Sequence, residues 1–211
     1  MTMIKILIIE EHLLFRESFS KMLNSDTRLQ VVGATGSFKE AFSICINNQP
    51  DVLIVGTHLS PVDGFMVTEK IKISFPDIRV IGLSAYGLPI LVKRFLRLGG
   101  SGYITKHASC AECIECVVAV SKGQVYLSED VKDSFLHEEV MPATESSGWS
   151  SLTSRELLIL QGVKNGKSSR ILAAELGLSS KTVEAHRYRI LKKLNLKSSV
   201  ALVQYANMQG I

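Results

Sequence analysis

The 211-residue sequence lacks any apolar run approaching the roughly 18–20 residues that a membrane-crossing helix needs. Its start, Met1-Thr2-Met3-Ile4-Lys5, passes straight into a strand pattern without the layout of a secretory leader. The expectation is a cytoplasmic protein with no membrane partner. Cysteine is equally sparse. Cys45, Cys110, Cys113 and Cys116 are too few and too clustered for the disulfide framework of a small secreted protein, so reduced thiols are expected. No internal repeat at solenoid spacing and no low-complexity tract is present, which sets aside repeat architectures.

Charge is present but unevenly placed. Residues 148–211 carry 10 Lys and Arg against 3 Asp and Glu, or +7, whereas residues 1–147 carry 14 against 17, or −3. A mildly acidic body with a small basic tail points to a polyanion at the C-terminal end, nucleic acid being the usual one. Hydrophobic periodicity lapses between Ser128 and Gly148, across acidic residues, Pro142 and small polar residues. The predicted organisation is a domain at 1–127, a linker at 128–148 with a helical first half, and a second domain at 149–211.

In the first domain, short apolar runs at residues 4–9, 30–34, 52–55, 80–83 and 102–104 alternate with amphipathic segments. The runs are rich in β-branched residues and mostly lack period-two alternation, as strands buried on both faces should. Ser37 with Glu40, and Ser109 with Glu112, have the spacing of a reciprocal capping box at a helix start. Five strands each followed by a helix predict an α/β doubly wound parallel sheet, flavodoxin-like and of (βα)5 form. Function in such a sheet gathers at the carboxyl ends of the strands. Those ends read Glu10-Glu11-His12, Gly56-Thr57-His58, Ser84-Ala85 and Thr105-Lys106.

Together with Asp51-Val52-Leu53-Ile54-Val55, Asp63-Gly64 and Gly102-Tyr103, these ends resemble the receiver domain of two-component response regulators of the NarL/FixJ type. The resemblance implies an aspartate after the third strand that attacks a phosphodonor, with Mg²⁺ held by acidic neighbours. It aligns that aspartate with Gly56, so no phospho-acceptor is expected. Glu10 and Glu11 stand where the family mostly has aspartates, and the added methylenes argue against Mg²⁺; no cofactor is expected. Asp51 lies at the opposite end of its strand, Asp63 falls in the following loop, and Thr57 or His58 would need a donor and a base that the sequence does not indicate. By the resemblance Ser84, Lys106 and Tyr103 are the phosphate-sensing hydroxyl, the phosphate-pairing lysine and the switch aromatic. Their other reading is packing plus an ion pair from Lys106 to Glu10 or Glu11, which would hold one conformation without a phosphate.

Two features stand apart from this pattern. Gly87-Leu88-Pro89-Ile90-Leu91-Val92 is apolar where the family is commonly acidic and polar. It reads as a protein interface, as a lid over the vacated pocket, or as thicker core packing with Pro89 first in a helix. His107, Cys110, Cys113 and Cys116 recur every three residues. On one helix such steps advance about 300° each, so the four cannot meet at one ion and no metal site is expected; at most a neighbouring pair could chelate.

The second domain reads as four short helices. Thr153 and Glu156 form a capping box, with Leu152 and Leu157 placed as its hydrophobic staple. Asn165-Gly166 ends that helix, Ser168 or Ser169 starts a second through Leu176, and Gly177-Leu178-Ser179 turns into a third at 180–194. Helix, glycine-containing turn, helix in a basic domain is the helix-turn-helix pattern. A helical wheel sets Val183, Arg187, Ile190, Leu191 and Leu194 on one side of the third helix. Lys181, Ala185, Tyr188 and Lys192 lie opposite, flanked by Glu184 and Arg189.

The motifs Leu152-Thr153-x-Arg155-Glu156, Leu176-Gly177-Leu178-Ser179, Lys181-Thr182-Val183-Glu184-x-His186 and Ile190-Leu191-Lys192-Lys193-Leu194 resemble the LuxR-type DNA-binding domain. The resemblance implies double-stranded DNA as partner and base contacts from Lys181, Glu184, Ala185 and Tyr188. It gives phosphate contacts to Arg187, Arg189, Lys192 and the helix start at Thr182. Glu184 either accepts from a cytosine amino group or pairs within the helix with Lys181, Arg187 or Tyr188. His186 is expected to be structural. The small apolar helix at 198–206 is where, by the resemblance, such domains pair, giving a homodimer on an inverted repeat.

The expectation is therefore a dimeric, non-enzymatic DNA-binding transcriptional regulator with a receiver that takes no phosphate in the usual way. Two alternatives stand beside it. One is a one-component sensor whose receiver pocket binds a ligand or metal. The other is a regulator acting mainly by protein contacts, capturing a partner regulator through residues 88–92.

Overall fold

The computed structural model describes residues 3–57, 59, 63–140 and 151–208. The chain divides into two compact units, residues 1–135 and 136–211. In the first, β1 (Ile4–Ile9), β2 (Leu29–Thr35), β3 (Val52–Gly56), β4 (Arg79–Ser84) and β5 (Gly102–Thr105) form one parallel sheet. Helices α1 (Leu13–Asn24), α2 (Phe38–Asn48), α3 (Gly64–Ser74), α4 (Pro89–Arg97) and α5 (Cys110–Ser121) supply the crossovers. Strand order is β2-β1-β3-β4-β5, followed by a two-residue strand β6 (Tyr126–Leu127) parallel to β5. This sixth strand departs from the five expected. It is too short to show any periodicity, and its register is set by its neighbour β5 through Gly102 opposite Tyr126.

The unalternating apolar runs are explained by burial on both faces. Ile6, Ile8, Val52, Ile54, Ile81, Leu83 and Ile104 pack with Phe19 and Leu23 of α1 and with Cys113, Cys116, Val117 and Val120 of α5. The intervening Leu7, Ile9, Leu53 and Val55 are buried as fully. Pro89 opens α4, and Leu91, Val92 and Phe95 are wholly buried. Leu91 and Val92 are thus core packing, while Leu88, Pro89 and Ile90 are half-buried. Of the segment expected to capture a partner, Leu91 and Val92 face inward and only Leu88, Pro89 and Ile90 keep partial exposure.

Two capping expectations are half met. Ser37 and Ser109 accept from the backbone N–H groups of Glu40 and Glu112. Neither glutamate reaches back, since Glu40 accepts from Thr35 Oγ1 at 2.5 Å and Glu112 from the Glu129 N–H at 2.7 Å. Each carboxylate serves a tertiary neighbour instead.

The first unit also takes in residues assigned to the linker. Ser128 and Val131 are fully buried at the start of α6 (Glu129–Val140). Asp130 accepts from Ser128 Oγ at 2.6 Å and from Thr105 Oγ1 at 2.5 Å. Residues 141–148 of the expected linker lie outside the described residues.

The second unit contains α7 (Ser154–Lys164), α8 (Ser169–Leu176), α9 (Ser180–Lys193) and α10 (Ser199–Met208). The Thr153–Glu156 capping box is closed in both directions, with Leu152 and Leu157 buried. Gly177 ends α8 at φ +63°, a left-handed conformation that glycine adopts without a Cβ penalty. Val183 and Ile190 of α9 and Leu202 and Ala206 of α10 are buried, with α10 against α7. Among the described residues no helix is long and apolar enough to cross a membrane.

Candidate receiver pocket and nucleic-acid interface

At the carboxyl end of β1, Glu10 leaves the strand with its side chain only 1% exposed. Its Oε2 lies 3.1 Å from Lys106 Nζ, the residue that follows β5. Its other oxygen, Oε1, accepts the His12 N–H at 3.0 Å and sits 2.7 Å from His12 Nδ1. A Cβ built on Gly56 would stand 2.9 Å from Glu10 Oε2 and 3.3 Å from Leu59 Cδ2. The glutamate's extra methylene therefore carries its carboxylate into the space a side chain at position 56 would need. Lys106 is held from a second side by the Phe15 ring, 4.7 Å from Nζ to the centroid. A cation over an aromatic face, paired with a buried carboxylate, has little freedom to leave.

The other pocket residues are tied to the sheet. Ser84 is wholly buried, and its Oγ accepts the Tyr86 N–H at 3.2 Å. Tyr103 is turned inward, wholly buried, with its ring edge-on to Phe95 at 5.5 Å. Burial pushes its phenol up to about 12, outweighing the hydrogen bonds to Ser84 and Thr57 that pull it down. Glu11 is half-buried beside Glu10 and does not take the described ion pair with Lys106. Asp51 Oδ2 accepts the Lys5 N–H at 2.8 Å at the opposite end of the sheet, and Asp63 caps α3 by accepting from Phe65 N. Neither is free to stand in for a missing nucleophile. His58 lies outside the described residues.

These residues do not fit Mg²⁺. The ion demands near-octahedral oxygen ligands at about 2.0–2.1 Å. Gly56 offers no carboxylate, and both oxygens of Glu10 are committed to Lys106 and His12. Among the described residues no group of three or more His, Cys, Asp or Glu is placed to hold a metal.

In the second unit, Ser179 caps α9 by accepting from Thr182 N at 3.0 Å, leaving the helix start accessible. Lys181, Glu184, Ala185, Tyr188, Arg189 and Lys192 are all exposed on α9, Tyr188 to 70%. An exposed tyrosine among cations on a docked helix suits contact with another molecule. Arg187, expected as a phosphate contact, is half-buried. Its guanidinium donates to Ser169 Oγ at 2.9 Å and Ser199 Oγ at 3.0 Å, joining α9 to α8 and α10. Ser169 in turn donates to Glu184, so the glutamate's partner lies on α8 and not within its own helix.

Ser169 and Asp130 are the residues that sequence reading missed. Serine at a helix start reads as a cap, yet Ser168 takes that role and frees Ser169 for the inter-helix link. Asp130 sits in an acidic stretch that reads as linker, and only its buried neighbours Ser128 and Val131 reveal its place. His186 is half-buried, with Nδ1 unpartnered among the described residues. Burial first, and then the nearby Arg189 charge, hold it below the usual histidine range.

Two family descriptions match this chain: response regulator receiver domain over residues 6–118, and bacterial regulatory proteins, luxR family, over residues 150–206. The chain is similar to the oxygen regulatory protein NreC of Staphylococcus carnosus, 35% identical over 208 residues and 96% of each chain. It is also similar to the response regulator GacA of Pseudomonas syringae pv. syringae, 31% identical over 209 residues, covering 99% of this chain and 98% of GacA. In fold it is similar to the chain in a solved structure of two RcsB dimers bound to two parallel DNAs. That likeness has a TM-score of 0.60 at 20% identity, covering 98% of this chain and 99% of the other.

Proposed function

The chain belongs to the response regulators that join a receiver domain to a luxR-family DNA-binding domain, and from that premise we propose that its receiver works without aspartyl phosphate. An internal carboxylate takes the place of the phosphoryl group. The single observation that carries this reading is Glu10 Oε2, which lies 2.9 Å from the Cβ position of Gly56 and 3.1 Å from Lys106 Nζ. The lysine that would pair with a phosphate is already paired, and the position that would accept one has no side chain.

DNA recognition falls to α9. Lys181, Ala185 and Tyr188 are assigned to base edges, and Thr182 at the helix start, Arg189 and Lys192 to phosphates. Arg187 is assigned to holding the domain together and Glu184 to a position fixed by Ser169, from which it reads a base amino group. The protein acts as a dimer on an inverted repeat, as two-fold pairing of recognition helices requires. RcsB, similar in fold, is bound to DNA as dimers. The exposed Val200 on α10 is available to such pairing.

Incubating the full-length protein with acetyl phosphate and Mg²⁺ tests the reading. The expected result is an unchanged intact mass and unchanged DNA affinity. An acid-labile phosphoryl adduct on the receiver would overturn it.

A further inference from the structure

We propose that Cys110 and Cys113 are a redox-active dithiol, closing to an intrahelical disulfide when the receiver meets a low-molecular-weight disulfide such as oxidised glutathione. The pair stands as Cys110-Ala111-Glu112-Cys113 on the first turn of α5, immediately after the Ser109 cap. Two cysteines with two residues between them at a helix start form the spacing used by dithiol oxidoreductases. Residues three apart on a helix are surface neighbours, with Cβ atoms about 5–6 Å apart, whereas a disulfide brings them to about 3.5–4.5 Å. Closure therefore asks for a local adjustment only. The first turn of a helix is the part able to make it, since its N–H groups are not tied within the helix.

Geometry separates this pair from the other two thiols. Cys110 and Cys113 line one cavity of about 220 Å³, together with Phe15, Phe19, Met22 and Lys106. The two residues thus border one common space. Cys110 is exposed and Cys113 is 5% exposed, whereas Cys116 and Cys45 are buried to 0% and 1%. An oxidant reaches Cys110 first.

The chemistry balances without a metal. The Cys110 thiolate attacks one sulfur of oxidised glutathione and releases one glutathione thiolate, leaving a mixed disulfide. The Cys113 thiolate then attacks Cys110 Sγ and releases the second glutathione. Two protein thiols are oxidised, one glutathione disulfide is reduced to two thiols, and the two protons pass to the leaving groups. Burial pushes the Cys113 thiol up to about 12, so the second step is the slow one. Its rate should rise about tenfold per pH unit near neutrality, as the thiolate fraction does. The bond closes in the cavity that Lys106 borders, linking thiol state to the receiver pocket.

The test treats full-length protein with oxidised glutathione, blocks remaining thiols with an alkylating reagent after denaturation, and maps the products by peptide mass. The expected result is a disulfide within the single peptide holding Cys110 and Cys113, with Cys45 and Cys116 alkylated. Cys113→Ser should trap glutathione on Cys110, and Cys110→Ser, a change at an exposed position, should abolish both products. The proposal is overturned by a stable mixed disulfide on the wild type, by free thiols at both positions, or by bonds only between chains. None of these outcomes bears on phosphorylation, so this inference and the functional reading stand or fall separately.

Discussion

At position 56, at the carboxyl end of β3, the chain carries a glycine and so no carboxylate. Sequence alone showed that no carboxylate stands there, because glycine is unambiguous. Which of Glu10 and Glu11 pairs with Lys106 was not legible, since adjacent residues at a strand end diverge by an amount that only the backbone fixes. The structure gives Glu10, buried and 3.1 Å from the lysine. Restoring an aspartate should therefore not restore a receiver. Gly56→Asp places a second carboxylate where Glu10 Oε2 already lies, and two like charges at that distance disfavour each other's ionised form. The single variant should melt below the wild type. Adding Glu10→Ala should recover much of the loss, with a coupling of about 1 kcal/mol or more, as residues in contact show. Additive effects in thermal denaturation would mean that the two positions do not compete for one space.

Elements were easier to read than contacts. The β-branched runs matched the five long strands to within one residue at each end, and the cap at Thr153 was specified fully enough to be found closed. The capping boxes at Ser37 and Ser109 were half legible, because spacing reveals who can reach back but not which tertiary neighbour competes. α6 was legible as a helix but not as part of the receiver. Its attachment rests on scattered contacts, among them Asp130 to Thr105, the Glu129 N–H to Glu112 and the buried Val131, which leave no periodic pattern. Between α7 and α9, Lys193 Nζ lies 2.6 Å from the buried Glu156 Oε2. Burial raises the Glu156 pKa, yet Lys193 and the Thr153 N–H and hydroxyl outweigh it and hold the carboxyl below its usual 4.5. Its contribution to stability is present above pH 4.5 and is lost as pH falls through the lower folded value. His186, held below 6.5, favours the neutral form in the fold, so its contribution is lost as pH drops from 6.5 toward its lower folded value. Acidification should weaken the helical domain in two stages, one starting near pH 6.5 and one below 4.5. Denaturant midpoints followed by circular dichroism across pH check this, and Lys193→Met should blunt the second stage strongly and the first only slightly, Lys193 being the least of the charges that lower His186.

For the molecule as a whole, the charge division between residues 1–147 and 148–211 located the partner before any motif was read. It did not show how the receiver is held. In the proposed account the ion pair between Glu10 and Lys106 does so, and the chain from Lys106 through Thr105 to Asp130 joins that pair to α6. Domain function was legible because both halves carry dense motifs. The proposed control was not, because that proposal turns on one rotamer filling the space of a missing side chain. The most direct measurement is a DNA-binding titration at fixed salt, comparing untreated full-length protein with Lys106→Met on a selected site. Tight binding by the untreated protein and at least a tenfold loss in the variant are expected, with the helical domain melting unchanged. Equal binding by the two, or binding by the wild type only after exposure to a phosphodonor, would contradict the proposal.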